Sequence, residues 1–191
     1  MSREPWAPAS KLTAPVTLDT TFDFEEREFE QILELCQNTM PMVVLDIPHG
    51  WNAWIRQTLA TIDEVVIVAE PDLANLRNAK NIADAIRALR PTENTPSLVL
   101  NKVGMPRRPE INSAEFASSV ECQLIGQIPF DAALFGTAAN NGQMIAEVAA
   151  NNKINDVYRA ISLHVTGRQA THAGGRASSL MKLPSFLRKR A

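Results

Sequence analysis

The sequence predicts an α/β domain with a mainly parallel sheet and helices on both faces. Short apolar runs without polar alternation recur at residues 42–45, 64–68, 97–100 and 123–128. Such runs are typical of strands that are buried on both faces. Helical periodicity fills the segments between them, as crossover connections between parallel strands require. The predicted helices cover residues 23–37, 51–62, 72–89, 112–119, 131–138, 142–150 and 155–165.

Composition fits a soluble globular chain of 191 residues, of which 45% are hydrophobic and 21% charged. The formal net charge of -2 gives no signature of a nucleic-acid-binding protein, so no nucleic-acid partner is expected. The longest apolar runs are too short to span a bilayer. The two cysteines, Cys36 and Cys122, lie far apart in the sequence, which indicates buried or reduced thiols in a cytoplasmic protein.

The first half of the chain shows a local reason for each element. Phe29, Ile32 and Leu33 fall on one stripe of the first helix. The run 42–45 ends at a carboxylate, after which a proline and a glycine delay the next helix. Residues 64–68 form the strongest strand signal, because three valines and an isoleucine stand together there.

In the second half, prolines mark the boundaries of the elements. Pro71 ends the strongest strand, and the helix 72–89 keeps its apolar residues at 3.6-residue spacing. Pro91 and Pro96 close that helix before the strand 97–100 begins. Arg107 and Arg108 lie in a proline-flanked loop, where a solvated charge pair is the default interpretation.

Polar residues follow three of the predicted strands: Asp46, then Asn101 with Lys102, then Pro129. In a parallel sheet these strand ends share one edge, which is where α/β domains bind ligands. A carboxylate there can hold a metal-bound water in front of a phosphate chain, and an asparagine amide suits the edge of an adenine ring. The alternative is that these residues only end strands, as turn residues often do.

The order of these stretches also carries a resemblance. Asp46-Ile47-Pro48, Glu70-Pro71-Asp72, Asn101-Lys102 and residues 125–129 resemble the later half of a MinD/ParA-type P-loop ATPase, in particular the CpaE-like branch of Tad/Flp pilus assembly and localisation proteins. The resemblance covers roughly residues 12–167. It implies ATP and Mg²⁺ as cofactors, with Asp46 as the catalytic residue that holds Mg²⁺ through water. It also implies cofactor-binding roles for Asn101, Lys102 and Pro129.

The same resemblance implies a cytoplasmic, often dimeric protein that works with pilus or secretion machinery. One departure is plain, since the chain contains no Gly-x-x-x-x-Gly-Lys-Ser/Thr loop to hold phosphates. The sequence thus predicts an incomplete P-loop NTPase-like domain and leaves ATPase activity open. The alternative function is a non-catalytic α/β scaffold that acts through protein–protein contacts.

Three segments are predicted: a poorly patterned stretch at 1–20, the ATPase-like part at 21–167, and a basic tail at 168–191. Within the tail, Leu180, Leu183 and Leu187 align on one face of a helix near several Lys and Arg residues. Two interpretations stay open for this tail. One is weak contact with an anionic membrane, which would place the protein peripherally at the inner membrane, and the other is a disordered solubilising tail.

Overall fold

The computed structural model describes residues 26–48, 50–92 and 95–167, which form two compact units divided between Gln57 and Thr58. The segments predicted at residues 1–20 and 168–191 lie outside the described residues. In chain order the elements are α1 (Glu26–Thr39), α2 (Ala53–Thr61), β1 (Val66–Ala69), α3 (Leu73–Leu89), β2 (Ser97–Val103), α4 (Ser113–Val120), β3 (Gln123–Pro129), α5 (Ala132–Asn141), α6 (Ile145–Val148) and α7 (Ile154–Val165).

The first unit is built on α1 and the start of α2. The rings of Phe29 and Trp54 pack with their centroids 4.7 Å apart, and the side-chain amide of Gln57 donates to the carboxylate of Glu30. Aromatic packing and one polar contact therefore join these two helices.

The predicted strand at 42–45 is wrong. Residues 42–48 have no regular secondary structure, and Val44 is 84% exposed. A strand exists only when its backbone groups pair with a neighbour, and this run has no ladder partner among the described residues. The apolar composition of the run did not show whether a neighbouring strand exists.

The second unit contains a three-stranded sheet in the order β1-β2-β3, with both pairs parallel. This confirms the predicted α/β class with a parallel sheet. The centre of β2 is fully enclosed, since Leu98 and Leu100 are 0% exposed. Burial of both faces explains why the sequence of β2 reads as a continuous apolar run.

Helices cover both faces of this sheet. On one face, α3 buries Ala79, Ala83 and Ile86, and α4 buries Phe116. On the other face, α7 packs on β3 so closely that Gly126 has no room for a side chain. None of the described helices is long and apolar enough to cross a membrane.

Candidate functional site at the carboxyl edge of the sheet

Parallel pairing brings the carboxyl ends of the three strands to one edge of the second unit. Asn101 and Lys102 lie near the end of β2, and Pro129 ends the neighbouring β3, in register with Val103. The structure thus brings three of the four sequence-predicted site residues together. Asp46 is exposed and lies in the first unit. The ligand-binding roles of all four residues stay predictions.

Asn101 is held in place by the backbone that follows it. Its Oδ1 accepts a hydrogen bond from the N–H of Lys102 at 2.8 Å. This bond supports Lys102 in the left-handed conformation, with φ of 54°, which is uncommon for a residue with a side chain. The side-chain Nδ2 of Asn101 has no partner among the described residues, so its two donors remain available to a ligand.

Lys102 is already engaged by a carboxylate. Its Nζ lies 2.6 Å from Oε1 of Glu70, the residue directly after β1, and Arg108 contacts the other oxygen of the same carboxylate. The hydrogen bond from Lys102, reinforced by Arg108, holds the pKa of Glu70 below its ordinary value. The contact with Glu70 occupies one of the three N–H donors of the Lys102 ammonium.

A compact loop follows β2, and Glu110 organises it. Its carboxylate accepts hydrogen bonds from the backbone N–H groups of Gly104 and Met105, each at 3.0 Å. These hydrogen bonds lower the pKa of Glu110, and the bond from Gly104 has the largest effect. Arg108 donates to the same carboxylate at 3.2 Å and to the carbonyl oxygen of Lys102 at 2.7 Å. The loop is therefore tied to β2 on one side and to β1 through Glu70 on the other.

The default interpretation of Arg107 and Arg108 as a solvated pair is wrong for Arg108. Its side chain is 19% exposed and joins Glu70, Glu110 and the carbonyl of Lys102. Arg107 is exposed, as expected, and has a φ of 63°. Sequence reasoning did not identify Glu70 and Glu110 as partners of Arg108. The available signals were the position of Glu70 directly after a strand and that of Glu110 beside a basic loop.

A different polar cluster lies at the amino edge of the sheet. The hydroxyl of Ser97 bonds to Oε1 of Glu64 at 2.8 Å and to Nε2 of His164 at 3.1 Å. In a catalytic triad the acid holds the histidine, whereas here both the acid and the histidine bind the serine. Ser97 is also 2% exposed. The cluster ties α7 to the sheet, and its geometry is not that of a nucleophile site.

Comparison with known proteins assigns the chain to a family. The sequence model of the family described as 4Fe-4S iron sulfur cluster binding proteins, NifH/frxC family, matches residues 40–177. The chain belongs to this family. The similarities that follow are to MinD and ParA proteins and support the predicted resemblance to MinD/ParA-type P-loop ATPases, whereas the CpaE-like branch is not shown.

A curated relative, the putative septum site-determining protein MinD of Emiliania huxleyi, is 25% identical over 142 residues. That match covers 71% of this chain and 47% of the relative. The fold is similar to the crystal structure of a ParA family ATPase from Chlorobium tepidum, with a TM-score of 0.68, 19% identity, and coverage of 79% of this chain and 62% of that one. The cell division ATPase MinD of Pyrococcus furiosus gives a TM-score of 0.63 at 15% identity, with coverage of 75% of this chain and 59% of that one.

The chain therefore spans about half the length of the curated relative and about three-fifths of these two solved ones. Both its sequence and its fold match only part of the length of these proteins. What the complete relatives do is consequently not transferred to this chain as a fact.

The residues present do not fit an iron–sulfur cluster. A [4Fe–4S] cluster is held by four thiolates, and this chain has two cysteines, so a single copy cannot supply them. Burial raises the pKa of the Cys122 thiol, which opposes the thiolate form that a ligand needs. The described part of the chain also holds no group of three or more His, Cys, Asp or Glu residues able to bind a metal ion. We assign no iron–sulfur chemistry to it.

Proposed function

We propose that this chain supplies the adenine-binding side of the nucleotide site of a MinD/ParA-type ATPase that serves Tad/Flp pilus assembly or localisation. The observation that supports it is the carboxyl edge, where Asn101 keeps both Nδ2 donors unpaired within the described residues and Pro129 ends the adjacent strand. One face of an asparagine amide matches the donor and acceptor edge of adenine. When bound, ATP with Mg²⁺ supplies the phosphoryl group and the charge compensation for its transfer.

In this proposal each residue has a distinct task. Asn101 reads the edge of the purine ring, and Pro129 limits the space beside it. Lys102 exchanges its Glu70 partner for the nucleotide, since its Nζ lies within reach of that edge of the sheet. The Mg²⁺ role of Asp46, which lies in the first unit, rests on the family resemblance alone, and no role at this edge is proposed for it.

Titration with a fluorescent ATP analogue tests the proposal. We expect saturable binding in the micromolar range that strengthens with Mg²⁺. The variant Asn101→Asp keeps an oxygen to accept the N–H of Lys102, but it replaces the two amide donors by a second oxygen, so binding should fall about tenfold or more. Asn78→Asp is the matched control, because Asn78 is exposed on α3 and should leave binding unchanged.

The non-catalytic scaffold remains the second candidate, favoured by the missing Gly-Lys loop. A flat titration with both the wild type and Asn78→Asp would favour the scaffold and reject nucleotide binding by this chain. Saturable binding that Asn101→Asp weakens would reject the scaffold.

The pilus role rests only on the resemblance of the sequence to the CpaE-like branch, so it needs its own test. Deletion of the gene should abolish Tad pili while leaving cell division normal. Copurification of the tagged chain with Tad secretion proteins should be lost in an untagged control. Normal piliation in the deletion strain would contradict this role while leaving the nucleotide site untouched.

A further inference from the structure

β2 contains a bulge at residues 101–102, where it approaches the carboxyl edge of the sheet. Leu100 pairs with Gln127 and Val103 pairs with Pro129, so β2 uses one residue more than β3 over the same distance. Bulges are uncommon between parallel strands, and they often lie beside functional sites, where they redirect a side chain. The bulge therefore decides how Asn101 is presented.

Within the bulge, Lys102 adopts an unfavourable backbone conformation. Its φ of 54° lies in the left-handed region, where a bulge usually has glycine. Three contacts offset this cost. Its N–H donates to Oδ1 of Asn101 at 2.8 Å, its Nζ lies 2.6 Å from Oε1 of Glu70, and its carbonyl oxygen accepts from Arg108 at 2.7 Å.

Arg108 links these contacts to the loop that follows β2. Its guanidinium also contacts the carboxylate of Glu70, and it donates to Glu110 at 3.2 Å. Glu110 in turn accepts from two backbone N–H groups of the loop. Loss of the guanidinium would remove a cation from Glu70 and a donor from the carbonyl of Lys102, so the left-handed conformation would lose two of its supports.

The N–H of Lys102 determines which way the amide of Asn101 points. The oxygen and nitrogen ends of an amide are nearly alike in shape, and their hydrogen-bond partners distinguish them. A backbone N–H can only donate, so it must face Oδ1, and the amide cannot reverse while this bond lasts. Oδ1 keeps a second lone pair, and the donors of Nδ2 point in a fixed direction.

An amide that is held in this way can distinguish the two purine bases. Adenine places an amino donor next to a ring nitrogen that accepts, and an asparagine amide pairs with both at once. Guanine carries an oxygen acceptor where adenine has the amino group, so the oxygen of the same amide would face another acceptor. A released amide can turn its nitrogen toward that oxygen, whereas a held amide cannot.

We propose that Arg108 is a positioning residue, which holds the bulge at residues 101–102 and thereby fixes the amide of Asn101 for adenine against guanine. It acts through the carbonyl of Lys102 and not by contact with the base. The proposal rests on the proposed function for its ligand, whereas the hold of Arg108 on the bulge needs no nucleotide.

Titration with fluorescent analogues of ATP and GTP measures the discrimination. We expect the wild type to bind the ATP analogue about tenfold or more tightly than the GTP analogue. Arg108→Gln should bring the two dissociation constants close together, whereas a merely structural role would weaken both by the same factor. Arg107→Gln is the matched control, because it removes the same charge from the same loop but none of the bonds described above.

A rescue variant separates positioning from loss of structure. Lys102→Gly, added to Arg108→Gln, keeps the backbone N–H and adopts the left-handed conformation without the cost of a Cβ. It should restore the preference for the ATP analogue, although both analogues bind more weakly without Nζ.

Hydrogen exchange of the free chain, followed by NMR, tests the hold on the bulge without nucleotide. In Arg108→Gln the exchange rate of the Lys102 amide, relative to that of Leu98 in the centre of β2, should rise about tenfold. General destabilisation would speed both amides alike. Arg107→Gln should leave the ratio of the two rates unchanged.

Four results would overturn the proposal. They are equal binding of the two analogues by the wild type, an unchanged preference in Arg108→Gln, equal effects of Arg107→Gln and Arg108→Gln, and an unchanged relative exchange of Lys102. If the wild type binds neither analogue, the proposed function fails, and faster relative exchange of Lys102 in Arg108→Gln would still support the hold of Arg108 on the bulge.

Discussion

The close contact between α7 and β3 makes Gly126→Ala a sensitive perturbation of the fold. A Cβ added at Gly126 would lie 2.7 Å from Cδ1 and 2.8 Å from Cγ1 of Ile161, and 3.4 Å from Cγ1 of Val157. The shortest of these is 0.7 Å below the 3.4 Å at which ordinary contact begins. Either α7 must move or Ile161 must leave its rotamer, and overpacking of this kind costs about 1–3 kcal/mol.

Urea denaturation followed by far-UV circular dichroism measures this cost. We expect the midpoint to fall with an unchanged m-value, and the melting temperature to fall by roughly 3–10 °C. Ile161→Ala removes both of the close carbon atoms. The double variant Gly126→Ala with Ile161→Ala should therefore lose less stability than the sum of the losses in the two single variants, by about 1 kcal/mol or more.

Gly136→Ala is the matched control. Gly136 lies inside α5, and a Cβ there meets nothing within 4 Å. It should stabilise the chain by about 0.5–1 kcal/mol, because alanine favours the helix over glycine. If Gly126→Ala were as harmless as Gly136→Ala, α7 would not pack on β3 as described and the reasoning would fail.

Three further predictions concern charges, a helix cap and a thiol. Glu70→Gln should lower the free energy of unfolding at pH 7, because it removes the ion pair with Lys102. The pKa of Glu70 is lowered in the folded state, so the difference in stability from wild type should vanish as the pH falls through that lowered pKa. A difference in stability that persisted in acid would contradict the ion pair. Asp72→Ala should cost about 1 kcal/mol in urea denaturation, because Asp72 caps α3 by accepting from a backbone N–H, while Asp72→Ser should cost less. A thiol reagent such as DTNB should label Cys36 well before Cys122, whose thiol pKa is raised by burial; equal rates would show that Cys122 is accessible.

Sequence reasoning found the strands of the second unit because each is a run of apolar residues, although only β2 is buried on both faces. The runs 64–68, 97–100 and 123–128 correspond to β1, β2 and β3 within a few residues. A continuous apolar run is a local signal that can be read from the sequence. The run at 42–45 carried the same local signal, but strand formation also needs a neighbour, and sequence composition does not state whether one exists.

In the candidate site too, features that depend on local sequence were predicted, and contacts between residues far apart in sequence were not. Asn101 and Pro129 were predicted from their positions at strand ends, and the structure places them on neighbouring strands. The ion pair of Glu70 with Arg108 was missed, because those residues are 38 positions apart and meet only when β1 and β2 pair. Arg108 was therefore taken for a solvated surface residue.

The proposed adenine-binding role of the carboxyl edge is tested most directly by a ¹⁵N-edited NMR titration of the full chain with Mg²⁺-ATP. The account predicts saturable shifts at the amides of Asn101, Lys102 and Phe130, whose N–H donates to the carbonyl of Val103 at 2.8 Å. The amide of Ser97, at the opposite edge of the sheet, should stay unshifted in the same spectra. Shifts confined to the amino edge, or none at saturating nucleotide, would contradict the account.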